Sequence, residues 1–227
     1  MAERSVLITG GTGGLGGAVT AAFLDNGWRV VLPVRDHTAA VPDAVMPVPA
    51  DLSDPAAVAA TAVVAAGDDG APLRAVVNLV GGYAASGRIH ETPIDQVEHM
   101  LALNLRPTYL VTQAMLPLLV AAGGGAVVCV SARAALTPFA GAVGYIAAKA
   151  AVLAFSNAVA VEYKNDGVRC NTVLPSVIDT PANRAAQPTA DHSRWVPPAD
   201  VATVIRFLAG PESAPVSGAA IPVYGRA

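Results

Sequence analysis

Charge is scarce in this 227-residue chain: 14% of its residues are Asp, Glu, Lys or Arg, against 53% hydrophobic. Soluble chains average about 25% charged residues. A chain that stays disordered needs the opposite balance, low hydrophobicity and high charge, so disorder is excluded for most of its length. Of 14 basic residues only Lys149 and Lys164 are lysines, no basic block occurs, and the net charge is −3. The electrostatic footprint of a nucleic-acid binder is therefore missing. Cysteine is equally sparse. Cys129 and Cys170 each sit in an apolar run with no CxxC spacing, and His37, His90, His99 and His192 are scattered. Neither a disulfide framework nor a metal site is expected, and a pair of buried reduced thiols suits a cytoplasmic protein.

Long hydrophobic spans are also wanting. No charge lies between Arg106 and Arg133, but Gln113, Pro117 and Gly123-Gly124-Gly125 interrupt the stretch. A bilayer span needs about 20 continuous apolar residues, so this segment reads as helix, turn and buried strand, with no membrane partner. Met-Ala-Glu-Arg at the N-terminus leads directly into an apolar strand and lacks the features of a signal peptide. A cytoplasmic location is expected.

What is present is a regular alternation. Short apolar runs at Val6–Thr9, Arg29–Val34, Val45–Val48, Ala75–Leu79, Ala126–Val130, Val168–Val173 and Ala220–Val223 read as strands. Helical composition occupies Gly14–Asn26, Pro55–Ala66, Ile94–Ala121, Tyr145–Tyr163 and Ala199–Leu208. Near-continuous apolar strands imply burial on both faces, and strand–helix alternation implies a parallel sheet covered on both sides. The expectation is one α/β domain over residues 1–227. The Pro-rich, polar stretch 179–198 reads as a lid-like loop. The Tyr145–Tyr163 helix is apolar around most of its circumference, which an outer helix can satisfy only against another subunit; a homodimer or homotetramer is expected.

The first strand ends in Thr9-Gly10-Gly11-Thr12-Gly13-Gly14-Leu15-Gly16 and runs into a helix. Glycines there let the backbone approach a diphosphate, to which the helix N-terminus offers free N–H groups and its positive dipole end. That makes the fold a Rossmann-type doubly wound sheet of seven strands. At the tip of the second strand stands Val34, followed by Arg35. An acidic residue at the tip would bind the adenosine ribose 2′-hydroxyl; a planar cation instead suits a 2′-phosphate. NADP(H) is favoured and NAD(H) remains possible, since Asp36 could pair with Arg35.

Tyr145 and Lys149 share a helix face by their spacing. An ordinary phenol, with a pKa of about 10, exchanges its proton poorly at neutral pH. A neighbouring ammonium favours the phenolate, so Tyr145 is expected to have a lowered pKa and to serve as acid/base for a carbonyl receiving hydride.

Together these motifs resemble the short-chain dehydrogenase/reductase family over nearly the whole chain. Its Thr-Gly-x-x-x-Gly-x-Gly corresponds to Thr9, Gly10, Gly14 and Gly16, and its Asp-Leu to Asp51-Leu52. Its Asn-Asn-Ala-Gly survives, altered, as Asn78-Leu79-Val80-Gly81, and its helix asparagine is Asn104. Its Tyr-x-x-x-Lys is Tyr145 to Lys149, and its Pro-Gly segment is Pro175-Ser176-Val177-Ile178-Asp179-Thr180, with Ser176 in place of glycine. The resemblance implies that Tyr145 is the acid/base and that Lys149 holds the ribose and tunes it. It implies that Asn104 holds a relay water, that Ile178 and Thr180 position the carboxamide, and that Asp51 meets the adenine. The cofactor-binding set is then Gly10, Thr12, Gly14, Leu15, Gly16, Arg35, Asp51, Leu52, Asn78, Gly81, Tyr145, Lys149, Pro175, Ile178 and Thr180. On residue chemistry alone, Asp51 could instead cap the next helix, and Asn104 could be a packing contact.

The family's catalytic serine falls at position 132, which is Ala132. Ser131 is the neighbouring candidate, but adjacent strand residues face opposite ways, so it substitutes only if the strand has ended or bulged. Otherwise a backbone N–H, water or the substrate must hold the carbonyl oxygen. Quinonoid dihydropteridine reductases also lack this serine, and Ser131–Leu136, Gly81-Gly82-Tyr83, Asp179–Arg184 and Ser193-Arg194-Trp195 resemble their segments. That branch carries Asp where this chain has Val34. The expected activity is an NAD(P)(H)-dependent oxidoreductase acting on a small carbonyl, alcohol or imine. Tyr83, Arg133 and Trp195 are candidates to line the substrate site. A dihydropteridine reductase-like activity is one alternative, and a cofactor-binding sensor or scaffold with impaired catalysis is another.

Overall fold

A computed structural model describes residues 2–35 and 40–226; Asp36 and His37 lie outside the described residues. The strands are β1 (Ser5–Thr9), β2 (Arg29–Val34), β3 (Val45–Pro49), β4 (Leu73–Asn78), β5 (Gly125–Val130), β6 (Val168–Pro175) and β7 (Ala220–Val223). They form one seven-stranded sheet in the order β3-β2-β1-β4-β5-β6-β7, parallel at every pairing. The order reverses direction between β1 and β4, which opens a crevice at their carboxyl ends, the usual ligand position in such sheets.

Side chains alternate across the sheet with period two. Val6, Ile8, Val30, Leu32, Val77 and Val173 face one layer, built on α1 (Gly16–Leu24) and α7 (Pro198–Ala209). Leu7, Val31, Val76, Val127, Cys129 and Cys170 face the other, built on α2 (Pro55–Ala66), α4 (Arg106–Ala121) and α5 (Val143–Glu162). Fully burying each such aliphatic side chain contributes about 1.5–3 kcal/mol. Both cysteines are free and buried in this second layer. The edges depart from the expectation of two buried faces. β3 and β7 expose Pro47, Pro49, Ala220 and Pro222, because an edge strand has a neighbour on one side only, where proline is tolerated.

The expected helix Ile94–Ala121 is two helices, α3 (Ile94–Asn104) and α4, meeting at Leu105. Pro107 has no N–H to give the carbonyl four residues back and its ring crowds that position, so the helix restarts with the proline in its first turn. Asp54 caps α2 by accepting from Ala56 N–H at 3.0 Å, with Pro55 next. The stretch 179–198 is not all loop: it contains a short helix, α6 (Pro181–Ala186), capped by Thr180 Oγ1. By length and composition α5 could cross a bilayer, but here it packs against the sheet with Ala148, Val152, Ser156 and Val159 buried.

Candidate active site

The glycine-rich turn between β1 and α1 is set by close backbone approach. A Cβ on Gly16 would lie 2.1 Å from the Gly10 carbonyl oxygen, so no larger residue fits without moving the turn. Gly10 has φ +68° and accepts from Gly13 N–H at 3.0 Å. Leu15 precedes α1 with no side-chain cap, and Thr12, Gly13 and Gly14 are exposed. This uncapped N-terminus fits an anionic group such as a cofactor diphosphate. The Leu15 side chain packs into the α1/α7 layer.

Thr9, the last residue of β1, joins this turn to the exit of β4: its Oγ1 accepts from Leu79 and Val80 N–H at 3.0 and 3.3 Å. Its position before the glycines was the available signal for that role. The Asn78 side chain turns into the core and donates to Thr112 Oγ1 at 3.0 Å. Gly81 follows, and its missing side chain is what lets the site assemble: a Cβ there would lie 2.5 Å from Asn104 Oδ1 and 3.0 Å from Lys149 Nζ. Asn104 is fully buried at the end of α3. It accepts from Gly82 N–H at 3.1 Å and donates to the Gly82 and Met100 carbonyls at 3.1 and 3.0 Å. It therefore fixes the Gly81-Gly82 loop to α3.

Tyr145 and Lys149 lie one turn apart on α5, and the Lys149 ammonium sits 6.0 Å from the Tyr145 ring centroid. Lys149 is buried and donates to the Val130 carbonyl at 3.2 Å. No other hydrogen bond of this ammonium occurs among the described residues, which leaves donors for a ribose hydroxyl. Burial pulls its pKa down to about 8. Burial, helped by the neighbouring Tyr83, pushes the Tyr145 phenol up to about 12. This is opposite to the shift expected from the Tyr–Lys spacing, because burial desolvates the phenolate. Tyr145 is thus held as the neutral phenol, the proton-donating form. The ring of Tyr83 meets it edge-on at 5.1 Å. Beside them opens a cleft of about 480 Å³ that Ser86, Thr92, Gln96 and His99 help to line.

β5 ends at Val130, so Ser131 lies just past the strand, and its N–H bonds the Val173 carbonyl at 3.0 Å. Its hydroxyl donates to the Lys149 carbonyl at 2.7 Å. Ser131 therefore anchors α5 to β5, and its proton is committed. Ala132, at the serine position, is buried and offers only a methyl group.

At the adenosine end, Asp51 Oδ1 accepts from Ser53 N–H and Oγ at 2.9 and 2.8 Å. These bonds hold its carboxyl below the usual range, with a smaller contribution from the charge of Arg35. Asp51 does not cap α2; Asp54 does. Leu52 is buried in the core beneath it, and Arg35 is exposed at the tip of β2. On the other side Pro175 is buried at the end of β6. The Ile178 carbonyl accepts from Asn183 Nδ2 at 2.8 Å. Thr180 reaches the glycine-rich turn, since a Cβ on Gly14 would lie 2.8 Å from Thr180 Cβ. Asp179 binds Arg184 through both carboxylate oxygens, at 2.5 and 2.8 Å. Asn183 and Arg184 belong to the Asp179–Arg184 segment of the lid resemblance, but their spacing alone gives neither a role; their bonds to Ile178 and Asp179 are local to that segment.

Residues 4–191 match the family model described as short chain dehydrogenase. The chain belongs to the short-chain dehydrogenase/reductase family. As such an oxidoreductase it is similar to the 2-(R)-hydroxypropyl-CoM dehydrogenase of Xanthobacter autotrophicus, 33% identical with 98% of each chain covered. It is 31% identical to the 2,5-dichloro-2,5-cyclohexadiene-1,4-diol dehydrogenase LinX of Sphingobium indicum, covering 99% of this chain and 96% of that one. Among solved structures, an oxidoreductase of the same family from Burkholderia thailandensis superposes with a TM-score of 0.87 at 30% identity, over 99% and 92% of the two chains. ElxO with NADP bound shares the fold, with a TM-score of 0.90 at 24% identity and 98% of each chain covered.

Proposed function

We propose that this short-chain dehydrogenase/reductase interconverts a small carbonyl or imine and its reduced form, using NADP(H) in preference to NAD(H). The observation that carries this reading is the convergence of Tyr145, Lys149 and Asn104 on Gly81, beside an uncapped glycine-rich turn. Gly10, Thr12, Gly14, Leu15 and Gly16 would hold the diphosphate. Asp51, Leu52 and Arg35 would surround the adenosine, and Asn78, Gly81, Lys149, Pro175, Ile178 and Thr180 the nicotinamide half. The bound cofactor supplies or accepts the hydride. Tyr145 delivers the proton to the substrate oxygen or nitrogen. Lys149 holds positive charge beneath it, and Asn104 is a positioning residue for the Gly81-Gly82 loop. With Ala132 offering no hydroxyl and Ser131 committed, Tyr145 is the side chain that holds the reacting oxygen, with water or a backbone N–H beside it.

NADP(H) preference rests on Arg35 and on the absence of an acid at Val34. Rates of NADPH and NADH oxidation with a panel of aldehydes, ketones and a quinonoid dihydropterin test this. Turnover with NADPH ahead of NADH is expected. A strong NADH preference would overturn the cofactor assignment, and cofactor binding without turnover of any acceptor would favour the sensor.

The outward face of α5 exposes Ala147, Ala154, Ala158 and Val161, and Tyr109 of α4 is exposed beside Phe155. A second copy covering these residues gives a homodimer or homotetramer in the cytoplasm. Sedimentation of the wild type and of Val161→Glu checks it, with dissociation of the variant expected.

A further inference from the structure

Two departures from the family pattern, Ala132 for serine and Ser176 for glycine, lie near one residue: Arg133, which follows Ala132, and Ser176 both meet Tyr224. Arg133 follows Ala132 at the exit of β5, and its guanidinium lies over the Tyr224 ring, 5.0 Å from the centroid. Tyr224 follows β7 directly. At the exit of β6, Ser176 donates its Oγ to the Tyr224 carbonyl at 2.9 Å and its N–H to the Val223 carbonyl at 3.2 Å. Glycine at position 176 could not make the first of these bonds. Arg133 therefore reaches from β5 past the end of β6 to β7, two strand spacings of about 4.8 Å each. The next residue, Gly225, lies against the lid: a Cβ there would come within 3.1 Å of Val196 Cγ2. The guanidinium thus lies beyond the carboxyl ends of β5, β6 and β7, on the side where Gly225 meets the lid.

Among the described residues this cation has no anionic partner. Arg29, Arg184 and Arg206 pair with Asp68, Asp179 and Glu212. Arg74 and Arg169 serve backbone carbonyls. The Arg133 side chain makes no hydrogen bond or ion pair among the described residues. Asp179, the carboxylate at the start of the lid, is already taken by Arg184. A partly buried guanidinium held against an aromatic ring, its donors unused among the described residues, is prepared for a bidentate oxyanion. The cofactor phosphates do not claim it, because the glycine-rich turn and Arg35 belong to β1 and β2, on the other side of β4.

We infer that Arg133, aligned by Tyr224 and Ser176, binds a carboxylate carried by the substrate, so that the physiological pair is an oxo acid and its hydroxy acid. This rests on the oxidoreductase reading above. The test compares 3-oxobutanoate, 4-oxopentanoate and 5-oxohexanoate with their methyl esters, which keep the carbonyl and remove the charge. The wild type is expected to favour at least one acid over its ester by about 10- to 100-fold in kcat/KM, the range of one charge-assisted hydrogen-bonded contact. In Arg133→Met that ratio falls to about one, chiefly through KM, and Arg133→Lys restores part of it. Tyr224→Ala lowers the ratio and Tyr224→Phe, which keeps the ring, does not. Unchanged NADPH affinity, read by fluorescence, shows that the variants fold. Esters reduced as well as acids by the wild type, or a ratio that survives Arg133→Met, would overturn the inference. Failure of every acid and ester with both cofactors would instead overturn the oxidoreductase reading beneath it.

Discussion

The two sides of the crevice are built on different terms. On the side of β1 and β4 the site is made of absences: Gly16 leaves room for the Gly10 carbonyl, and Gly81 leaves room for Asn104 and Lys149. On the side of β5, β6 and β7 it is made of side chains that reach across strand ends, Arg133 to Tyr224 and Ser176 to Tyr224. The first kind of construction tolerates little substitution, since a Cβ on Gly16 would meet backbone and one on Gly81 the buried side chains of Asn104 and Lys149. The second can be rewritten residue by residue while the first stays intact. The Thr-Gly-x-x-x-Gly-x-Gly pattern is kept in this chain at Thr9, Gly10, Gly14 and Gly16, while serine is absent at position 132 and glycine at position 176.

If that contrast is right, the largest effects of small substitutions belong to the glycines. Gly16→Ala puts a Cβ against backbone and is expected to weaken NADPH binding by about 100-fold or more, measured by fluorescence titration. Affinity within a few-fold of wild type would break the contrast. Gly81→Ala presses on Asn104 and Lys149 together, and kcat/KM for carbonyl reduction should fall by about 10- to 100-fold. Val34→Asp tests the adenosine end. It should weaken NADPH and improve NADH, shifting the preference by about 10-fold or more; no shift would move the ribose elsewhere.

A pH profile sharpens the comparison. Lys149 loses its charge as pH rises through about 8 in the cofactor-free enzyme, whereas Tyr145 stays protonated to about 12. Reduction needs the neutral phenol and the ammonium, so kcat/KM should be level below about pH 8 and fall above it. That profile reports groups of the free enzyme, and Lys149→Arg should extend the plateau upward. The smallest effect is expected at Ser131. Ser131→Ala removes one buried hydrogen bond, costing about 1 kcal/mol of stability by thermal unfolding, with activity within a few-fold of wild type. A loss of about 100-fold or more in kcat/KM would make Ser131 the stand-in for the missing serine.

The division also explains what could be read before the structure. Glycine exclusion and the Tyr–Lys spacing are local, so the β1–α1 turn and the α5 pair were legible from order and spacing alone. The sheet was legible for the same reason: each strand is a short apolar run, and helices separate all of them but β2 and β3. The split at Leu105 was missed because Pro107 was read inside a long apolar stretch rather than as the first turn of a new helix. The direction of the Tyr145 shift was missed because burial is a property of the packed fold. The Arg133–Tyr224–Ser176 group joins residues from three strand exits, and no spacing along the chain announces it.

The most direct measurement of the account is Tyr145→Phe, with NADPH affinity and NADPH-dependent carbonyl reduction determined on the same preparation. Affinity within about threefold of wild type is expected, with turnover reduced by about 10²- to 10⁴-fold, the range of a positioned general acid. Turnover retained at the wild-type level would remove Tyr145 as the proton donor and contradict the site as described.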